Sequence, residues 1–191
     1  MKANTLKRLG AVLIDVVIII LITSVIALVI PTTKTDSYLN QQTELTEQLM
    51  EGEISLNEAT TQLQTITYKI DRANIVLNLL SLVVSILYYG VYQFVKKQTI
   101  GKKVFKIKVV GSNLTMNTMI IRTLLVYGLF ATILNVIAIY VLNQESYFYF
   151  STILNSLYGL FFIITVFMIL FREDKKGLHD LIMHTEVMEV Q

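Results

Sequence analysis

Four long apolar runs constrain this chain more than any other feature, because each could cross a lipid bilayer as a helix. They cover residues 9–30, 75–94, 119–142 and 148–171. A hydrocarbon core of about 30 Å requires roughly 20 consecutive apolar residues in helical form. The composition agrees, since 54% of the residues are hydrophobic and only 16% are charged. The sequence therefore predicts an all-α polytopic membrane protein built on a four-helix transmembrane bundle.

The first run also has to be weighed as the apolar part of a cleaved signal peptide, because Lys2, Lys7 and Arg8 precede it. The run is too long for such a region and contains Asp15. No cleavage motif of small residues precedes the polar segment that follows Pro31. We therefore expect the first run to be a retained span.

Basic residues indicate how the bundle is oriented. The loop at residues 96–118 contains six lysines and no acidic residue. Connections enriched in Lys and Arg lie on the cytoplasmic side. With four crossings, both termini then lie in the cytoplasm, including the basic tail at residues 172–191. The same loop is expected to contact the anionic headgroups of membrane lipids. Its lysines are Lys96, Lys97, Lys102, Lys103, Lys106 and Lys108.

The segment at residues 32–74 is acidic and is predicted to be an extracytoplasmic helical hairpin. Gly52 interrupts its helical pattern, and Ser55 to Glu58 matches a capping box, in which each side chain bonds the other's free backbone N–H. A thin stripe of leucines favours packing of the two helices on each other. Contact with a partner protein is the alternative. The leucines are Leu39, Leu45 and Leu49.

A short strand is predicted in the basic loop, because Val104 to Val110 alternates apolar and basic side chains. Its expected partner is the strand-like segment Thr185 to Val190, since a single strand cannot satisfy its own backbone groups. The lysine-bearing face of one strand would then complement the glutamate-bearing face of the other. The alternative is an amphipathic segment lying on the membrane surface.

Polar side chains recur at helical spacing within the second, third and fourth runs. Such stripes usually join helices through hydrogen bonds worth about 0.6 kcal/mol each. The alternative is a hydrated cavity between the helices. The candidate lining residues are Asn78, Ser81, Ser85, Tyr88, Asn135 and Asn155.

Charged residues inside the runs need partners, because an unpaired carboxylate in a bilayer costs roughly 2.5–3.5 kcal/mol. Arg8 and Asp15 lie two helical turns apart on one face of the first span. Asp15 could be protonated or could pair with Arg122, Arg8 or Arg172, and Arg122 is favoured. Such a pair would either fix the helix register or couple to an ion.

Four motifs in order resemble the RDD family of bacterial membrane proteins. They are Leu6 to Asp15 at the first span, Thr99 to Lys103 before the strand, Arg122 at the third span, and Gly177 to Ile182 before the last strand. The family takes its name from one arginine and two aspartates, and the resemblance assigns these to Arg8, Asp15 and Asp180. Together with Arg122, these residues are expected to form one group of charges that pairs helices or couples to an ion. The hairpin looks like an insertion.

The resemblance implies a location in the bacterial cytoplasmic membrane and, for some members, cation/proton antiport. A small-ion transporter is therefore the first functional hypothesis. The absence of broken spans argues against it, since the only proline, Pro31, lies at a helix end. The alternative is a non-transporting regulatory or assembly subunit that binds a partner membrane protein. For the transporter, a homo-oligomer could supply the missing pathway.

The sequence does not favour an enzyme. It contains no cysteine, no metal-ligand spacing and no glycine-rich phosphate loop, so no metal or cofactor is predicted. His179 and His184 do not share a helical face. A lipid-modifying site on His179 and Asp180 is the weakest alternative. The basic loop is too short and too poor in aromatic residues for nucleic acid.

Overall fold

The computed structural model describes residues 1–28, 33–112 and 114–190, so the predicted end of the first span at residue 30, Pro31 and residue 32 lie outside the described residues. A π-helical segment at Ile86–Tyr92 separates the fourth and fifth helices. The other elements are α1 (Thr5–Ala27), α2 (Thr33–Met50), α3 (Leu56–Ala73), α4 (Ile75–Ser85), α5 (Gln93–Lys96), α6 (Ile100–Val104), β1 (Ile107–Gly111), α7 (Met116–Val126), α8 (Leu129–Val141), α9 (Gln144–Phe171), α10 (Leu178–Ile182) and β2 (Thr185–Glu189).

Three helical stretches are long and apolar enough to cross a membrane. They are α1, the stretch Ile75–Lys96 and α9, and a fourth span results if α7 and α8 count as one. Their outer faces expose large apolar side chains, such as Leu13 and Leu157. Apolar surface on this scale is typical of a membrane-facing bundle. The structure therefore agrees with the predicted membrane helices.

The third predicted span is broken, and the expectation of a continuous helix was wrong. The axes of α7 and α8 meet at 74°. Between them Gly128 adopts a φ of +66°, which favours glycine. A Cβ atom on Gly128 would lie 2.6 Å from the Tyr158 ring, and the Tyr158 hydroxyl donates to the carbonyl of Val126 at 2.9 Å. A tyrosine from α9 thus fills the bend and satisfies a carbonyl near the end of α7. The argument against transport from unbroken spans no longer holds.

The predicted pairing of two strands is confirmed. β1 and β2 are antiparallel, with Val109 opposite Val187. The strand begins later than expected, because Val104 belongs to α6. Residues before α1 extend the sheet, since Ala3 N–H donates to the Val187 carbonyl at 3.0 Å. One face of the sheet is buried against α1 and α7 in a core of Ala3, Ala11, Ile107, Val109, Met119 and Val187.

The predicted charge complementarity across the two strands was wrong. Lys108 lies opposite Met188 rather than a glutamate. Glu189 is paired with Lys7 at 2.8 Å, and Glu186 with Lys176 at 3.4 Å. The glutamates of β2 therefore bind a lysine in α1 and a lysine just before α10, and these pairs attach the sheet to the bundle.

The helical hairpin of α2 and α3 packs on itself around Leu45, Ala59 and Ile66. Ser55 caps α3 by accepting a hydrogen bond from Glu58 N–H at 3.2 Å. At the base of the hairpin, the Tyr68 hydroxyl donates to the carbonyl of Ile139 in α8 at 3.1 Å. The hairpin thus has its own small core and is attached to the end of the bundle opposite the sheet.

Candidate functional site

Arg8, Arg122, His179 and Asp180 form a buried group that we call the charge cluster. It lies at the sheet end of the bundle, where α1, α7 and α10 meet. Asp180 accepts a hydrogen bond from Arg8 Nη2 at 2.6 Å and from Arg122 Nη2 at 2.9 Å. Arg8 also donates to the carbonyl of Lys175. One carboxylate therefore joins two arginines from different helices.

Three further groups complete the surroundings of Asp180. Gly177 N–H and the Thr185 hydroxyl each donate to its carboxylate at 3.2 Å, and His179 Nε2 lies at the same distance. Burial raises the pKa of Asp180, but Arg122, the hydrogen bond from His179, and Arg8 lower it overall, below its usual range. Burial lowers the pKa of His179, which favours the neutral imidazole. Asp180 is thus an ionised carboxylate with its hydrogen-bonding capacity filled.

Asp15 does not take the partner that we favoured from the sequence. Arg122 and Arg8 pair with Asp180, and Arg172 pairs with Asp174. Asp15 is fully buried and accepts three hydrogen bonds from uncharged groups. The donors are the Tyr88 hydroxyl at 2.6 Å, the Thr99 hydroxyl at 2.5 Å and Gly101 N–H at 2.8 Å.

Asp15 finds these donors because the turn before α6 packs directly on α1. Thr99 caps α6 by accepting a hydrogen bond from Lys102 N–H at 3.2 Å, while its own hydroxyl donates to Asp15. A Cβ atom on Gly101 would lie 2.2 Å from the carbonyl oxygen of Ala11. Only glycine permits this approach, so the Thr99 to Lys103 motif serves to dock the loop on the first span.

Lys102 is a functional candidate that the sequence analysis missed. Its side chain is buried, and its ammonium donates to Gln93 Oε1 at 3.0 Å. Burial lowers the pKa of Lys102 to about 7, and the positive charge of Arg122 adds to this effect. The only available signal was the position of Lys102 directly after Gly101. Composition could not separate it from the exposed lysines of the same loop.

A cavity of about 130 Å³ lies at the other end of the bundle, and we call it the hairpin-end cavity. Three of the six predicted lining residues, Asn78, Asn135 and Asn155, do line it. Asp71 of α3 and Ser151 of α9 also face it, although neither was in the predicted lining set.

The other three predicted lining residues lie elsewhere. Ser81 lines a neighbouring groove of about 250 Å³ between α1 and α4. Ser85 is buried within the bundle, and Tyr88 binds Asp15. The π-helical segment carries Tyr88, and such wider turns often occur at functional sites. Asn78, Ser81, Ser85 and Tyr88 follow one another at intervals of three or four residues, and we call this row along α4 and the π-helical segment the polar line.

Asp71 supplies the carboxylate of the hairpin-end cavity. The Tyr147 hydroxyl donates to Asp71 Oδ2 at 2.8 Å. Burial raises the pKa of Asp71, although the hydrogen bond from Tyr147 opposes the shift. The sequence offered no signal for this role, because Asp71 looks like one more acidic residue of the hairpin.

Comparison with known proteins gives one match. The model of the RDD family matches residues 2–184, which is nearly the whole chain and includes the charge cluster and the residues that line the hairpin-end cavity. No curated protein and no solved structure matches the chain significantly.

Proposed function

This chain belongs to the RDD family, and on that premise we propose that it exchanges a monovalent cation for protons across the bacterial cytoplasmic membrane. The observation that carries the proposal is the polar line along α4 and the π-helical segment. Its first residue, Asn78, lines the hairpin-end cavity together with Asp71, and its last, Tyr88, donates a hydrogen bond to buried Asp15. Ionisable groups buried near membrane spans commonly mark ion and proton pathways.

Lys102 is the proposed proton-exchanging group. It is buried, and its charge interacts with Asp15 and with the arginines of the charge cluster. Its positive charge is opposed by Arg122 and favoured by Asp15, so a small change in the surroundings would change its protonation. The arginines stay bound to Asp180 and hold the helices around it.

In this proposal the broken third span links the two ends of the bundle. α7 carries Arg122 of the charge cluster, and α8 carries Asn135 of the hairpin-end cavity. A movement at the bend near Gly128 would therefore change both the charge cluster and the hairpin-end cavity. Broken helices serve this purpose in several transporter folds, where they line the substrate site.

The proposal includes four crossings, with the sheet and both termini on the cytoplasmic side. The exposed lysines at this end support that orientation, since they would lie beside anionic lipid headgroups. The acidic hairpin would then lie outside the cytoplasm. The exposed lysines are Lys96, Lys97, Lys103 and Lys106.

A second candidate function is binding of a partner membrane protein through the tip of the hairpin. Met50 and Leu56 support it, because their apolar side chains are 82% and 70% exposed there. This role requires no ion movement, so a flux measurement separates the two candidates.

The transport proposal is tested with purified protein in proteoliposomes that carry a pH gradient. We expect Na⁺, K⁺ or Li⁺ to release protons, while choline does not. Lys102→Met should abolish the flux, and the exposed neighbour variant Lys103→Met should retain it. Flux no greater than that of empty liposomes for all three cations would overturn the proposal. Full flux in Lys102→Met would overturn the role of Lys102.

A further inference from the structure

Asp71 is a partly buried carboxylate without a cationic partner among the described residues. The two basic residues nearest in sequence are directed elsewhere. Lys69 lies over the Tyr38 ring at 5.8 Å, and Arg72 lies over the Tyr68 ring at 6.0 Å. The hydrogen bond from Tyr147 uses one carboxylate oxygen, Oδ2. The other oxygen has no hydrogen-bond donor in the described part of the chain.

Neutral oxygen atoms surround the same space. The amide oxygen of Asn135 is buried and has no hydrogen-bond partner in the part of the chain that the structure describes. Asn78, Ser151 and Asn155 also line the cavity with amide and hydroxyl groups. A volume of about 130 Å³ has room for several water molecules. The space therefore suits an ion that keeps part of its hydration shell.

We infer that the hairpin-end cavity binds one alkali metal cation, with Asp71 as its charged ligand and the amide oxygen of Asn135 as a neutral ligand. A single carboxylate balances a single positive charge. Sites for Ca²⁺ usually contain several carboxylates, and Mg²⁺ demands a stricter octahedral geometry. The inference rests on the proposed function for its biological role, but binding can be measured without transport.

The site joins four helices that the sequence places far apart. Asp71 comes from α3, Asn78 from α4, Asn135 from α8, and Ser151 from α9. A bound cation would therefore attach the hairpin more firmly to the bundle. Since a ligand that binds only the folded state stabilises it, the melting temperature reports binding.

The inference is tested by thermal unfolding of the full chain in detergent, with NaCl, KCl or LiCl compared with choline chloride at equal ionic strength. We expect a saturable rise of several degrees in the melting temperature with at least one alkali cation. Asp71→Asn should lose this rise. Asp36→Asn, at an exposed carboxylate of α2, should retain it. Asn135→Ala is a second variant that leaves the charge unchanged, and it should weaken the cation dependence at least threefold.

Three outcomes would overturn the cation site. They are equal melting temperatures in alkali and choline salts, an unchanged cation effect in Asp71→Asn, and tighter binding of CaCl₂ or MgCl₂ than of any alkali salt. If Asp71→Asn does not fold, calorimetric titration of NaCl or KCl into the wild type and into Asn135→Ala replaces the melting assay. Saturable binding without proton flux would overturn the transport proposal and leave the site standing. Flux that survives in Asp71→Asn together with an unchanged cation effect on its melting temperature would support transport and reject this site.

Discussion

Two carboxylates at opposite ends of the bundle, Asp180 and Asp71, differ in how many donors and positive charges surround them. Asp180 is fully buried and contacts two arginines, a histidine, a threonine and a backbone N–H. Asp71 is partly buried, has one tyrosine donor, and has no cation beside it among the described residues. The saturated carboxylate can only hold its neighbours together. The unsaturated one retains the capacity to bind a ligand.

The largest expected effect comes from neutralising each carboxylate in turn. Asp180→Asn leaves Arg8 and Arg122 buried without a counter-charge, so we expect a loss of about 3–5 kcal/mol in the free energy of unfolding. Asp71→Asn in choline buffer should change it by less than about 1 kcal/mol, because no ion pair is broken. Chemical unfolding in one detergent measures both. A comparable loss in the two variants would remove the distinction between the two ends.

The second effect is a pH dependence between pH 7 and 10.5, which we assign to Lys102 at the sheet end. The pKa of Lys102 is about 7 in the folded chain and 10.5 in the unfolded chain. Between these values the unfolded state binds more protons, so stability should rise with pH, by roughly 2–5 kcal/mol across the window. Lys102→Met should lack this part of the rise, and Lys103→Met should keep it. Parallel stability curves for the wild type and Lys102→Met between pH 7 and 10.5 would contradict the assignment.

The smallest effect concerns the single donor to Asp71. The hydrogen bond from Tyr147 lowers the pKa of Asp71, so Tyr147→Phe should let protons compete with the cation up to a higher pH. We expect the midpoint of cation binding to move up by less than about one pH unit, as for loss of one hydrogen bond of about 1 kcal/mol. Thr185→Val removes one of several donors to Asp180 and should leave this midpoint unchanged. A downward shift in Tyr147→Phe would contradict the role of Asp71.

The sequence predicted the membrane helices and the strand pairing well, because both depend on patterns within short segments. The apolar runs have the length of a bilayer, and β1 and β2 alternate on one buried face. It missed the bend at Gly128, since a lone glycine in an apolar run does not show whether its φ is positive. The deciding contact comes from Tyr158, which lies thirty residues later in the chain.

The candidate sites were less predictable, because their partners come from distant segments. Asp15 was assigned to Arg122 on depth and charge alone, whereas a docked loop supplies hydroxyl and backbone donors instead. Asp180 joined the charge cluster only through the family resemblance. Lys102 was hidden among the lysines of its loop and Asp71 among the charged residues of the hairpin, where no local pattern separates a buried residue from an exposed one.

The position of Asp180 also has a consequence for biosynthesis. The ribosome makes Arg8 and Arg122 well before Asp180, so both arginines reach the membrane before their shared counter-charge exists. Until then their charges are compensated by water or lipid phosphate at the surface. The helices can insert early, but the charge cluster cannot form until α10 packs against α1 and brings Asp180 to Arg8. Chains that stall before residue 180 would therefore retain two arginines without their shared counter-charge.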